Sequence, residues 1–131
     1  MSDPSFPVSV HDGLAVVTTP AEIDISNAGP LREALVSAAA TGQRVIVVDM
    51  SGTEYCDSTG LNVLVRALAV ADREGAELRL VMGGSGLQRI MTVTGVAGMF
   101  RIYDTLGEAL ELPGAAGSRD ERRRPVSRCG Q

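Results

Sequence analysis

The 131-residue chain contains no lysine; all twelve of its basic residues are arginine. A Walker A lysine, a Schiff-base lysine and a Ser-Lys nucleophile are therefore excluded. Histidine occurs once, at His11, and cysteine twice, at Cys56 and Cys129. So few nitrogen and sulfur ligands leave no basis for a four-ligand zinc site. A hydrolytic triad would have to use His11, which lies between two strand-like runs near the N-terminus. Two cysteines also make no disulfide scaffold and fit a reducing cytosol. Long apolar runs are missing as well. Val45–Val48 and Leu61–Val65 fall far short of the ~20 residues of a membrane span, and no secretory leader is legible. The expectation is a cytoplasmic protein with no cofactor, no metal and no membrane contact.

What is present is the composition of one ordinary domain, 44% hydrophobic and 21% charged. Residues 1–112 hold seven Arg against fourteen Asp and Glu, a balance of −7, whereas residues 113–131 hold five Arg against two acids, +3. An acidic body does not suggest nucleic-acid binding, which needs clustered cations.

Met1–Pro7 is polar and Pro-rich and reads as a loose arm. Val8–Val10 and Leu14–Thr19 read as strands joined by the Asp12-Gly13 hairpin signal. Leu31, Ala34, Leu35, Ala38 and Ala39 then recur at helical spacing. Ser26 or Asn27 suits the cap of that helix, Pro30 suits its first turn, and Thr41-Gly42 ends it. Val45–Val48 is a continuous β-branched run, as expected of a strand covered on both faces. Leu61, Leu64, Val65 and Leu68 resume helical spacing up to Gly75. Leu78–Met82 is a further strand, and Ser85-Gly86-Leu87-Gln88 opens a short helix to Val93 with capping-box spacing. Phe100–Tyr103 is a last strand. Thr105-Leu106-Gly107-Glu108 repeats the box before a final helix holding Ala109, Leu110 and Leu112. The order β-β-α-β-α-β-α-β-α predicts an α/β fold on a mixed, mostly parallel sheet of four to five strands with about four helices. After Pro113, Gly, Ser and Arg dominate, so 113–131 is expected to be a disordered tail.

Loops at the carboxyl ends of parallel strands are the usual places for sites. Cys56-Asp57-Ser58-Thr59-Gly60 is such a loop. With Asp57 as N-cap, its carboxylate accepts from the amide of Thr59 or Gly60, and Ser58 becomes the first helical residue with its hydroxyl outward. The helix N-terminus tolerates an anion there, and Gly60 is expected to leave the first turn open to another surface. By spacing alone, these residues equally describe a plain helix cap. Neither an aspartic-protease Asp-Thr/Ser-Gly nor a Gly-x-Ser-x-Gly elbow is present, so the chain does not read as an enzyme.

Cys56-Asp57-Ser58-Thr59-Gly60-Leu61 after a buried strand, followed by Val63-Leu64-Val65, resembles the STAS domain of bacterial anti-sigma factor antagonists, with its SpoIIAA-like fold. Ala21-Glu22-Ile23-Asp24 resembles the Gly-Glu-Leu/Ile-Asp signature of that family, and Val93–Val96 with Phe100–Ile102 resembles its usual end. The resemblance covers residues 8–112. It implies a protein whose dephosphorylated form binds an anti-sigma factor that is also a serine/threonine kinase, and so frees a sigma factor. It implies Ser58 as the phosphoacceptor, with Thr59 second, and a PP2C-type phosphatase that resets the switch. It places Glu22, Asp24, Asp57, Ser58, Thr59, Gly60 and Asn62 at the partner-binding loop, in a monomer or weak dimer.

Asn62 stands where the family often has Gly, Pro20-Ala21 replaces a Gly-containing turn, and Arg66 puts a cation near the contact face. Alternatives remain at this level. Gly83–Gly86 could cradle a nucleotide phosphate through backbone amides, or be a turn capped by Ser85. A stressosome-type scaffold is a further possibility. Lipid-transport members tend to carry Thr in place of Ser58, and a transporter tail would need a membrane segment. Cys56 beside the switch is either a redox sensor or a small buried residue. Arg122–Ser127 reads as a kinase site, a tether to an anionic surface, or a solvated tail.

Overall fold

The computed structural model describes residues 6–82 and 86–111. Its elements are β1 (Val8–His11), β2 (Leu14–Thr18), β3 (Glu22–Ile23), α1 (Ala28–Ala40), β4 (Val45–Asp49), β5 (Tyr55–Cys56), α2 (Ser58–Glu74), β6 (Glu77–Val81), α3 (Gly86–Val93), β7 (Arg101–Tyr103) and α4 (Leu106–Ala109). A single 3-10 turn, Val96–Met99, lies between α3 and β7.

β1 and β2 form the antiparallel hairpin. Asp12 and Gly13 both take positive φ, 35° and 91°, as a tight two-residue turn requires. The rest of the main sheet is parallel, in the order β1-β2-β4-β6-β7. The continuous Val45–Val48 run forms the centre, and its four residues are buried. Ala15, Val17, Ile46, Val48, Leu78 and Leu80 face the helices α1 and α2 on one side. Leu14, Val16, Val45, Val47, Val81 and Tyr103 face α4 on the other. Each Val, Leu or Ile among them that is buried in full contributes about 1.5–3 kcal/mol.

The helices follow their sequence signals. Leu31, Leu35, Ala38 and Ala39 are buried on α1, with Ala34 half-buried beside them. Gly75 ends α2 at φ 78°, and the Thr105 hydroxyl accepts from the Glu108 amide to cap α4.

Several expectations need correction. Phe6 belongs to the core rather than to a loose arm, and the Pro7 carbonyl accepts from the Thr18 amide at 3.2 Å. Asn27, one of the two expected candidates, is the N-cap of α1, but its side chain makes no cap bond there. Two short strands, β3 and β5, were not expected; they pair in parallel as a separate sheet, Glu22 opposite Tyr55 and Ile23 opposite Cys56. Arg79, in the middle of β6, is buried with only 2% of its surface exposed. Its Nε donates to Glu77 at 2.8 Å, and its Nη1 donates to the carbonyls of Ala109 and Glu111 at 2.8 and 2.6 Å. Its guanidinium carbon lies 5.4 Å from the centre of the Tyr103 ring. A buried cation is tolerated when its donors are taken up in this way.

Gly83–Ser85, where a phosphate cradle or a serine-capped turn was expected, residues 1–5, Leu112, residues 113–131 and Cys129 lie outside the described residues. Among the described residues no helix is long and apolar enough to cross a membrane.

Candidate functional site

The mini-sheet of β3 and β5 builds the site. The Thr53 hydroxyl donates to the Pro20 carbonyl at 2.6 Å, and the Thr19 and Thr53 hydroxyls share a second 2.6 Å bond in the interior. The Ala21 carbonyl accepts from the amides of Glu54 and Tyr55 at 2.7 and 3.2 Å. The Pro20-Ala21 turn is thereby clamped to the segment leading into α2. One step on, the Asp57 amide donates to the Ile23 carbonyl at 3.1 Å. Asp24 follows Ile23 and Ser58 follows Asp57, so the acidic loop and the N-terminus of α2 emerge side by side from one ladder.

Asp57 is the N-cap of α2. Its backbone is extended, and its Oδ1 accepts from the amides of Thr59 and Gly60 at 3.0 and 3.1 Å. Two of the donors of the helix end are therefore already taken. Ser58 is exposed at the first helical position, Asn62 is exposed one turn further, and Thr59 is half-buried. Gly60 corrects the sequence reading. It is buried and faces the mini-sheet, where a Cβ would stand 2.6 Å from both Cys56 Sγ and Ile23 Cγ2. Glycine here permits close packing of the helix on the ladder instead of an open first turn.

Asp24 is turned into its own loop. Its Oδ1 accepts from the Ser26 hydroxyl at 2.6 Å and from the Ser26 amide at 2.9 Å. The Ser26 side chain, then the Ser26 amide, hold its carboxyl below the usual 3.8. Asn27 ties the strand end: its Oδ1 accepts from the Asp24 amide, and its Nδ2 donates to the Glu22 carbonyl, both at 2.9 Å. Glu22 itself is exposed.

Sequence reasoning overlooked the apolar surface beside the serine. Ile25 is 77% exposed and Tyr55 is half-exposed. An isoleucine inside a polar Asp-Ile-Ser-Asn loop was the only available signal. Cys56 is buried, and burial, with the nearby Asp57 charge, pushes its thiol up to about 12. At neutral pH it stays a buried thiol. The site thus offers an outward hydroxyl amid Glu22, Asp24 and Asp57, able to accept a group from an enzyme and to be read by a protein surface.

The STAS domain family matches residues 5–109. The anti-sigma-F factor antagonist RsfB of Mycobacterium tuberculosis is 32% identical over 117 residues, which cover 88% of this chain and 92% of that protein. The crystal structure of an anti-sigma factor antagonist from Mycobacterium paratuberculosis superposes with a TM-score of 0.73 at 31% identity, over 84% of this chain and 96% of the other. The anti-sigma factor antagonist SpoIIAA in its unphosphorylated form shares the fold at a TM-score of 0.67 and 15% identity, over 81% and 93% of the two chains. Fold, loop geometry and sequence kinship converge, and the chain belongs to the STAS domain family, among the anti-sigma factor antagonists.

Proposed function

We propose that this antagonist works as a phosphorylation-gated binding protein with Ser58 as its gate. Dephosphorylated, it binds an anti-sigma factor that is also a serine/threonine kinase and releases the sigma factor; phosphorylated on Ser58, it lets go. A PP2C-type phosphatase resets it. It is the substrate of these enzymes, and its place is the cytoplasm, where sigma factors act.

The observation that carries this reading is the exposed Ser58 beside an N-cap carboxylate that already holds the Thr59 and Gly60 amides. A phosphoryl group adds a charge of about −1.5 to −2. At a vacant helix end it would be partly neutralised. Here Asp57 already holds the Thr59 and Gly60 amides, and Glu22 and Asp24 add like charge, so the dianion is only weakly neutralised where a partner would dock. Ile25 and Tyr55 supply the apolar contact that a partner fitted to neutral Ser58 would cover. A phosphate must then either stay hydrated and hold the surfaces apart or be desolvated at a cost. Only ~1.4 kcal/mol of loss makes a tenfold change in affinity.

Incubation with the cognate anti-sigma kinase and ATP is expected to add one phosphate by intact mass, absent in Ser58→Ala. Ser58→Glu is expected to weaken kinase binding at least tenfold while Ser58→Ala retains it. Equal affinity of the three proteins would refute the gate.

A further inference from the structure

Beyond the switch, α2 carries a second feature. Ser58, Asn62, Arg66, Ala69 and Arg73 recur every three to four residues and are all exposed, so they form one stripe along the helix. The stripe leads into a groove of about 280 Å³ between α1 and α2. Its floor includes Val63, which is buried, and Val70, half-buried; Val36 on α1 leaves 43% of its surface exposed. Arg66 and Arg73 from α2, and Arg32 from α1, stand around it. Arg32 pairs loosely with Glu33 at 3.8 Å. Among the described residues neither Arg66 nor Arg73 has a carboxylate within ion-pair distance. Three of the seven arginines of a body with net charge −7 thus surround one apolar floor.

We infer that this groove docks an acidic amphipathic helix of a protein partner. Two parallel helices with apolar residues between them are the usual cradle for a third helix. Arg66 and Arg73 are two turns apart, about 10 Å along the axis, and so match carboxylates seven residues apart on the incoming helix. Charge removes the nearest competitors. The segment 113–131 of this chain carries five arginines, the same sign as the groove. A second copy docked about a two-fold axis would set this arginine cluster against itself. The acidic surface elsewhere repels anionic segments that lack a matching apolar stripe. The inference extends the proposed partner surface down the same helix, and its test does not pass through the Ser58 switch.

The probe is a helix-stabilised 18-residue peptide with leucines on one face and glutamates seven residues apart beside them. It is titrated into the full-length, 15N-labelled protein. Saturable shifts are expected at Val36, Val63 and Val70. Arg66→Gln/Arg73→Gln is expected to weaken binding at least tenfold, as is Val36→Glu, each with an unchanged thermal midpoint. Arg44→Gln, outside the groove, is expected to change it less than threefold. A peptide with lysine in place of glutamate is expected not to bind. Absent or scattered shifts, equal binding of the lysine peptide, or indifference to the arginine pair would overturn the inference. So would dodecanoate filling the groove while the peptide does not bind, since the occupant would then be a small amphiphile. None of these results bears on whether Ser58 takes a phosphate, which the kinase assay decides separately.

Discussion

Gly60→Ala is the most direct test of how the α2 N-terminus is seated. On the surface of a helix this change stabilises, by up to about 1 kcal/mol. Here the new methyl group would lie 2.6 Å from Cys56 Sγ and 2.6 Å from Ile23 Cγ2. Both side chains are buried, at 5% and 0% exposure, and Ile23 is β-branched, so neither yields easily. Overpacking of this kind costs about 1–3 kcal/mol. With two contacts this short on buried side chains the cost falls in the upper part of that range, ~2–3 kcal/mol; less ~1 kcal/mol of helix gain the net loss is ~1–2 kcal/mol, a fall of roughly 5–15 °C in the unfolding midpoint for a domain of this size. Thermal unfolding followed by far-UV circular dichroism reads it. The same substitution placed in a Cys56→Ala background is expected to cost less, because one of the two obstructing atoms is gone. A Gly60→Ala protein as stable as the parent, or more stable, would refute the packing argument and restore the open first turn.

Three further outcomes follow from the geometry. Asp57→Ala removes the acceptor of two amide bonds and is expected to cost ~1 kcal/mol in urea unfolding, with Asp57→Asn nearer to neutral. Arg79→Met leaves Glu77 without its 2.8 Å partner; because Glu77 keeps some solvent access, the expected loss is ~2–4 kcal/mol, below the full cost of breaking a buried pair. For Cys56, the folded thiol near 12 lies above its ordinary 9.0, so the unfolded chain binds fewer protons between those values. Stability should therefore fall as pH rises from about 9 toward 12. A Cys56→Ala variant should flatten that slope, and in a Cys129→Ser protein iodoacetamide should fail to label the native state at pH 8 yet label it in urea.

The sequence made the long elements legible because their burial is periodic. The β-branched Val45–Val48 run, the i, i+3, i+4 pattern from Leu31 and the turn glycines Gly13, Gly42 and Gly75 each point to one local structure. Ser58 and its cap were legible for the same local reason: Asp57 reaches amides only two and three residues away. The β3–β5 ladder was not. Each strand has two residues, too few to show alternation, and the pairing joins Glu22 to Tyr55, far apart in the chain. Arg79 was hidden for a related reason. The carbonyls that satisfy it belong to Ala109 and Glu111, some thirty residues away, and only the assembled sheet brings them close. Gly60 misled because glycine at a helix start equally suits an open face and a crowded one, and the crowding atoms come from another strand.

The separateness of that small ladder has a mechanical consequence. The five-stranded sheet can keep its register while two pairs of residues part and re-form, because the main strands take no hydrogen bonds from the ladder residues Glu22–Ile23 and Tyr55–Cys56. Such sub-global openings are less costly than unfolding the whole domain. Because Ile23 and Cys56 are buried and Gly60 packs on them, the acidic loop and the start of α2 would move together as one small unit, on a platform that does not give way beneath them.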